Sequence, residues 1–510
     1  HLTSSPMNPM HLRTFTAVSV ALALSGCAIV MPPAKVDAAP ALQWQAPLPH
    51  QGTVGSLAQW WQKQGDPLLV ELIDAAQAVS PNVAQALARV ESARAQRTTA
   101  NAALLPKLDA SVSASRGVSQ PDVPVATTQS VGLQASWELD LVGANRAVSN
   151  AADAQFQGTQ AQWHDARVSV AAEVATTYYS YATCTQLLGV ARKDAASRQE
   201  TARLTELNAK AGFAAPSVAA LARASAADGS SRVTQQQAAC DLDVKALVAL
   251  TGLPEQDLRQ KLAVAPMERA QAAPVSIASV PAQTLAQRPD VFAAERDVIV
   301  ASAQVGSAKA QRYPRLTLSG SVGALRYSSM GRETNLDTWS FGPLAVTLPL
   351  FDGGQRKANV VSAEAAYAQS VSVYRGKVRQ AVREVEEALV NLQSTDARKQ
   401  DAAVATAGYA ESLAATQARY GQGLASLVEL EDARRNALAA ESAQLSLGLE
   451  RNRAWVSLYR STGGTVRQGI RLDVHPLYNR NNMERSGYDA ALVRLDGPVT
   501  DAGPAPARQW

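Results

Sequence analysis

The chain has 510 residues, of which 46% are hydrophobic, 18% charged and 5% aromatic. This composition argues against a disordered or fibrous protein, because enough apolar side chains are present to build a core. The formal net charge is only +4, so no basic excess indicates a nucleic-acid partner. Five histidines and three cysteines form no metal-type motif, so we expect no metal, no cofactor and no enzymatic activity.

The N-terminal residues have the pattern of a secretory leader. Arg13 precedes an apolar stretch that ends at Leu24, which predicts a signal peptide over 1–26. The sequence LSGC that follows resembles the bacterial lipobox, so we expect Cys27 to carry a diacylglyceryl group and an N-acyl chain such as palmitate. A plain signal peptide with an incidental cysteine is the alternative. Ala28, rather than an aspartate, favours the outer membrane, with 27–65 as a lipid-anchored segment.

The rest of the chain contains an internal repeat. Gly212 recurs 211 residues later as Gly423, and several neighbouring motifs recur at nearly the same spacing. The repeat predicts two copies of one supersecondary unit. The predicted segments are a first repeat at 66–252, a linker at 253–289, a second repeat at 290–463 and a tail at 464–510.

Each repeat contains two segments in which polar and apolar residues alternate. Leu108 and Val112, for example, alternate with Asp109 and Ser111, as in a strand with two different faces. A small soluble hairpin with one buried face would show the same alternation. Strands of about ten residues in a secreted chain also suit a transmembrane barrel, and since a barrel needs about eight strands we expect three chains to share one of twelve. The predicted strands are 107–116, 129–141, 315–325 and 338–350.

A helical hairpin is predicted after each strand pair, at 143–250 and 354–461. The first helix of each hairpin would be about 100 Å long at 1.5 Å per residue. In the second repeat, apolar residues such as Val371, Val378 and Val385 follow a heptad, which predicts a coiled-coil seam. An ordinary coiled-coil dimer is the alternative, but it does not explain why strand pairs interrupt the helices at matching places.

Two cysteines lie at equal distances from the predicted turn of the first hairpin. Cys184 and Cys240 are each 28 residues from Gly212, which places them at the same height on antiparallel helices. Because the periplasm is oxidising, we expect a disulfide that staples this hairpin. Two buried free thiols are the alternative if the helix faces point apart. Thr395 and Arg451 occupy the equivalent positions of the second hairpin, so no second staple is expected.

Three longer motifs carry a family resemblance: WELDL at 137–141, QRPD at 287–290 and LPLFDGG at 348–354. With them the chain resembles, over about residues 56 to 466, the TolC family of outer-membrane efflux ducts and its OprM/NodT-like lipoprotein branch. The resemblance implies a mixed α and β membrane protein. A trimeric 12-stranded β-barrel with four strands per chain would continue into a long periplasmic α-helical barrel. An α/β equatorial belt would be built from 28–65, 253–289 and 464–510, although the last segment could instead be disordered.

The same resemblance implies the exit duct of a tripartite efflux system. Such a homotrimer passively exports small toxic compounds or drugs, as in multidrug resistance. It receives them from an inner-membrane pump of the resistance-nodulation-division or facilitator type through a periplasmic adaptor. One alternative is the exit pore of a type I protein secretion system, which uses the same fold. Another is a coiled-coil lipoprotein scaffold that transports nothing.

The resemblance also implies two roles for the ends of the helical hairpins, a periplasmic gate and an adaptor-docking surface. Glu429 and Asp432 match acidic positions at the closed periplasmic mouth, where threefold symmetry makes rings of carboxylates that favour cations. Arg419 or Arg434 would hold the mouth shut, and Tyr420 would belong to the same gate. The alternative is that these acids only solvate the helix surface. The residues expected to dock the adaptor are Gly212, Phe213, Gly423, Leu424, Ala425 and Ser426.

Overall fold

The computed structural model describes residues 29–38, 45, 60–63, 65–118, 124–265, 285 and 288–464. The predicted signal peptide, Cys27, the tail after residue 464 and much of the predicted linker lie outside the described residues. The described part has a mixed α and β fold, as expected, with long helices and one four-stranded sheet.

The helices of the described part are numbered in chain order. They are α1 (Trp60–Lys63), α2 (Pro67–Val79), α3 (Pro81–Ala102), α4 (Ala144–Lys210), α5 (Pro216–Thr251), α6 (Glu255–Val264), α7 (Pro289–Ala310), α8 (Gln355–Gly421) and α9 (Leu427–Ser461). The strands are β1 (Lys107–Gly117), β2 (Ala126–Leu139), β3 (Arg315–Ser329) and β4 (Arg332–Thr347). None of the described helices combines the length and the apolar character that crossing a membrane requires.

Each strand pair leads into a 67-residue helix, α4 or α8, through the same kind of turn. The Asp140 carboxylate accepts hydrogen bonds from the backbone nitrogens of Asn145 (3.1 Å) and Arg146 (2.9 Å). Asp352 does the same for the backbone nitrogen of Arg356 (3.1 Å). These carboxylates satisfy amide groups that no helical carbonyl can reach at a helix start. The WELDL motif at 137–141 and the LPLFDGG motif at 348–354 therefore form the turns that lead from a strand into a long helix.

The four strands form one antiparallel sheet in the order β1-β2-β3-β4. One face carries hydroxyl side chains, and on it Ser113 lies 2.7 Å from Ser130 (Oγ to Oγ). The opposite face is apolar, and the ladder pairs Val322 with Leu133 and with Trp339. No described element covers this apolar face, and the Trp339 side chain is 80% exposed.

The strands differ from their predicted limits mainly where β3 meets β4. β3 continues to Ser329 and β4 begins at Arg332, so the two strands are joined by a tight turn with positive φ at Met330 (51°) and Gly331 (74°). Met-Gly is not a common hairpin turn sequence, and the polar residues that follow mask the alternation, which is why the prediction began β4 at 338. β4 ends before Pro349, which has no backbone N–H to donate to a ladder. β2 likewise runs from 126 to 139 rather than 129 to 141.

The main hydrophobic core lies where α1, α2 and α6 pack against the middle of the long helices. Trp60 stacks on Tyr459 with 4.8 Å between ring centroids. The Tyr178 hydroxyl donates a 2.6 Å hydrogen bond to Asp66, which also caps α2. These rings are buried in the largest hydrophobic cluster of the described residues.

Arg288 of the QRPD motif fastens three helices at the same level. Its buried guanidinium donates hydrogen bonds of 2.8 Å to Asp290 of α7, to Glu384 of α8 and to the Ser461 carbonyl of α9. Burial raises the pKa of the Asp290 carboxyl, but the ion pair with Arg288 outweighs burial and holds that pKa below its usual value. The motif is therefore a structural clamp.

Candidate functional site at the ends of the two hairpins

The two hairpins, α4–α5 and α8–α9, reverse direction in the same way. Gly212 (φ 81°) and Gly423 (φ 72°) follow the first helix of each pair in the left-handed region. The backbone nitrogens of Phe213 and Leu424 then each donate a 2.8 Å hydrogen bond to a carbonyl five residues back, as in a Schellman turn. The exposed fractions of Phe213 and Leu424 are 86% and 69%. Each hairpin end thus presents one apolar side chain to its surroundings.

The second hairpin end is built around a capping box at the start of α9. The Ser426 hydroxyl accepts a hydrogen bond from the Glu429 nitrogen (3.2 Å), and the Glu429 carboxylate accepts one from the Ser426 nitrogen (2.6 Å). These bonds and the nearby Arg419 guanidinium, 3.9 Å away, lower the pKa of Glu429. Arg419 also donates to the Leu424 carbonyl at 3.0 Å. Glu429 is therefore ionised and belongs to the local turn as well as to the surface.

The remaining predicted gate residues occupy two different surfaces. Asp432 is exposed and pairs with Arg435 at 2.5 Å on the same helix. The Tyr420 hydroxyl lies 3.1 Å from the Thr205 hydroxyl of α4, so it joins the two hairpins. The structure brings Arg419, Glu429 and Ser426 together, whereas Asp432 pairs with Arg435 and Tyr420 contacts the first hairpin.

The sequence named Arg434 as a candidate for the gate but did not predict the buried cluster of charges between the hairpins to which it belongs. We call this the inter-hairpin cluster: Asp194, Ser197, Arg198, Thr201 and Ser225 of the first hairpin with Glu431 and Arg434 of the second. Arg198 pairs with both Asp194 and Glu431. Arg434 pairs with Glu431 at 2.9 Å. Leu427, Leu430 and Arg434 follow the spacing of one helix face, which was the available signal that Arg434 points inward.

A disulfide joins α4 to α5 at a level 28 residues from Gly212 at the hairpin end. The Cys184 and Cys240 sulfurs are 2.12 Å apart and the Cα atoms 5.5 Å apart. The pair is buried beside Leu188. Thr395, at the matching place in α8, hydrogen-bonds to the carbonyl of Leu392 instead. Only the first hairpin carries this staple among the described residues.

Catalytic or metal chemistry has little support from the described residues. They contain no group of three or more His, Cys, Asp or Glu side chains placed to hold a metal ion. The one histidine in α4, His164, is half-buried near Arg167 and the Gly463 backbone, and both its partial burial and Arg167 lower its pKa. We assign it a structural role.

The fold and these hairpins define a class of protein, the TolC-like outer-membrane channels. The solved structure of the outer-membrane channel OprN matches with a TM-score of 0.76 and 26% identity, covering 85% of this chain and 99% of that one. The family model "Outer membrane efflux protein" matches residues 72–253 and 280–464. The chain belongs to this outer membrane efflux protein family.

Two relatives indicate the branch of the family to which the chain belongs. The outer membrane protein OprJ of Pseudomonas aeruginosa is 31% identical over 475 residues, which is 90% of this chain and 97% of OprJ. Nodulation protein T of Rhizobium leguminosarum bv. viciae is 28% identical over 445 residues, 85% of this chain and 89% of the relative. The predicted OprM/NodT-type membership is confirmed, and the chain is an outer-membrane exit duct for efflux.

Proposed function

We propose that three copies of the chain form one duct, with a shared 12-stranded barrel in the outer membrane and a helical tunnel in the periplasm. The sheet is the observation that carries the proposal. Its apolar face is exposed, and the outer edges of β1 and β4 have no partner strand among the described residues. Unpaired strand edges are not tolerated in lipid, so each edge needs the edge of another copy. The hydroxyl-bearing face would then line a water-filled lumen.

The lipid anchor on Cys27 fits the course of the N-terminal segment. Ser302 of α7 donates a 2.6 Å hydrogen bond to the Pro32 carbonyl, and Tyr367 of α8 donates one of 2.8 Å to Pro33. Ser302 is eight residues from the sheet end of α7, about 12 Å along the helix. The five residue steps from Cys27 to Pro32 can span at most about 18 Å. The acyl chains would thus reach the membrane surface beside the sheet.

The hairpin ends would face the inner membrane and meet a periplasmic adaptor, which links the duct to an inner-membrane pump of the resistance-nodulation-division or facilitator type. The exposed side chains at 213 and 424 supply apolar contact area there, and the glycines beside them allow close approach of backbones. Glu429, Asp432, Arg419 and Tyr420 would form the gate. The cargo would be small toxic compounds or drugs, with selectivity held largely by the partners.

A pair of neighbouring substitutions on β3 tests the barrel. Val322→Arg places a cation on the apolar face, which costs about 2–4 kcal/mol at the middle of a bilayer, whereas Ser321→Arg places it on the hydroxyl-bearing face. We expect Ser321→Arg to give heat-modifiable trimers in outer-membrane fractions and channels in planar bilayers. Val322→Arg should give far fewer trimers.

Two other outcomes would decide against the proposal. Equal amounts of trimer from both variants would contradict the assigned faces of the sheet. A wild-type protein that conducts no current in bilayers would favour the scaffold alternative. Sensitivity of a deletion strain to detergents, dyes and antibiotics, rather than loss of a secreted protein, separates drug efflux from type I secretion.

A further inference from the structure

The inter-hairpin cluster is the most heavily connected buried polar group in the described part of the chain. Glu431, from the second hairpin, accepts hydrogen bonds from Arg198 and from Ser225 (2.8 Å), which belong to different helices of the first hairpin. Arg434 donates in the opposite direction, to the Ser197 hydroxyl (2.8 Å) and the Thr201 hydroxyl (2.7 Å) of α4. One helix turn of α9 is therefore tied to both helices of the neighbouring hairpin.

The charged side chains of the cluster have little solvent exposure. The side chains of Arg434 and Glu431 are 4% and 13% exposed, and those of Arg198 and Asp194 are 8% and 10% exposed. Charges buried to this degree persist only where opposite charges and hydrogen bonds compensate them. Glu431 lies between two arginines and is the one carboxylate that the second hairpin contributes to the cluster. Without its charge, Arg434 would lose the carboxylate with which it pairs, and Arg198 would keep only Asp194, which it shares with Arg232.

The contacts continue from the cluster to the gate. Thr201, which binds Arg434, also accepts through its carbonyl a 2.7 Å hydrogen bond from Thr205. Thr205 in turn contacts the Tyr420 hydroxyl at 3.1 Å. Beside this path, Leu427 and Leu430 pack into an apolar cluster with residues of the first hairpin. The position of the gate tyrosine therefore depends on how the second hairpin is seated against the first.

Ion pairs elsewhere in the second hairpin have a different character. Arg398 and Glu450 pair at 2.5 Å but are 51% and 53% exposed, and they join α8 to α9 within one hairpin. Exposed pairs of this kind contribute little to holding two elements together. Glu450 is thus a matched reference for Glu431, since both lie on α9.

We propose that Glu431 is the positioning residue of the periplasmic gate. It locks the second hairpin of each subunit onto the first and so holds the end of the tunnel closed. This inference rests on the proposed trimeric duct. Glu429 and Asp432, on the exposed side of α9, would set the charge of the mouth.

The test compares Glu431→Gln with two controls, using the full-length lipoprotein reconstituted as trimers. We expect Glu431→Gln to raise the bilayer current at a fixed voltage by about tenfold or more, because it leaves two buried arginines with too little counter-charge. Amide hydrogen exchange over residues 197–205 should accelerate by a similar factor. Glu450→Gln, at an exposed pair, and Glu384→Gln, which weakens the distant Arg288 clamp, should leave current and exchange over 197–205 near wild type.

A triple variant separates positioning from general loss of stability. In R198M/E431L/R434M three of the buried charges are replaced by apolar groups of similar size, while Asp194 keeps its ion pair with Arg232 (3.2 Å). The hairpins should stay packed, so the current should return towards wild type. If Glu431→Gln yields no trimer, Ser225→Ala removes a single contact to Glu431 and should give a smaller increase in the same direction.

The two proposals fail in different ways. Wild-type current and exchange in Glu431→Gln, or equal opening in Glu384→Gln, would overturn the positioning role while leaving the duct intact. Absence of trimers and current in every variant would overturn the duct, and exchange over 197–205 would still report whether Glu431 locks the hairpins.

Discussion

At the scale of single residues, several polar side chains that look like candidates for chemistry are committed to structure. Asp140 and Asp352 hold the first amides of the two long helices, and Glu429 closes a capping box. Arg288 clamps three helices. In each case the partner is a backbone group or an oppositely charged side chain of a neighbouring element. Charge in this chain therefore serves mainly to fix helix ends and helix contacts.

His164 gives a pH prediction at this scale. Its pKa is lowered in the folded chain, first by burial and then by Arg167, so the unfolded state binds a proton more readily. Stability should therefore fall as the pH drops through the unfolded value near 6.5, as the neutral folded histidine is increasingly disfavoured. We expect thermal unfolding of the wild type to lose more stability between pH 7.5 and 5.5 than that of His164→Phe. Identical pH profiles for the two proteins would show that His164 contributes nothing.

At the scale of elements, the two repeats have the same helices but not the same reinforcement. Both hairpins begin with a 67-residue helix and reverse at a glycine in the left-handed region. Only α4 and α5 are joined by a disulfide among the described residues, while the matching place in the second hairpin has Thr395 and Arg451. The second hairpin depends instead on the inter-hairpin cluster for its position.

The disulfide is tested by its removal. Closing a loop of 56 residues restricts the unfolded chain by about 4 kcal/mol on the chain-entropy model, so Cys184→Ala/Cys240→Ala should lower the free energy of unfolding by about 2–5 kcal/mol. Mass spectrometry of a non-reduced digest of the wild type should find the two cysteine peptides linked. Two free thiols in that digest would rule the bond out. Thr395→Ala, at the matching place in α8, is the control and should have a smaller effect.

At the scale of the whole molecule, the duplicated unit explains the architecture. One copy of the unit supplies two strands and one hairpin, and two copies give the four-stranded sheet and its two hairpins. The sheet alternates in polarity, but none of the described elements covers its apolar face. An antiparallel sheet of this kind becomes stable only when something outside the chain covers it.

The charge of the periplasmic mouth is a property of the assembly, since threefold symmetry would turn each carboxylate into a ring. We expect Glu429→Gln/Asp432→Asn to raise conductance and reduce cation selectivity in planar bilayers, because the rings lose their charge. Glutamine keeps the capping box with Ser426, so the helix start stays intact. Glu450→Gln serves as the control on the same helix. Unchanged conductance and selectivity in the double variant would mean that the two acids only solvate the surface.

The sequence by itself determined the periodic features of this protein. Alternation identified the four strands, the 211-residue spacing identified the repeat, and equal distances from Gly212 placed the two cysteines side by side. These features can be predicted from the sequence because each depends on residues that are close together in the chain or regularly spaced along it. The family, too, followed from local motifs at the strand-to-helix turns.

Only the tertiary structure decided which charges face inward. Glu429, Glu431 and Asp432 are nearly adjacent in sequence, yet Glu431 alone reaches the first hairpin, while Glu429 caps its own helix and Asp432 pairs in solvent. Their roles differ because helix rotation sets which side of α9 meets α4, and that rotation results from packing between segments more than 200 residues apart. The spacing of Leu427, Leu430 and Arg434 marks one face of α9, but it does not show which element that face meets.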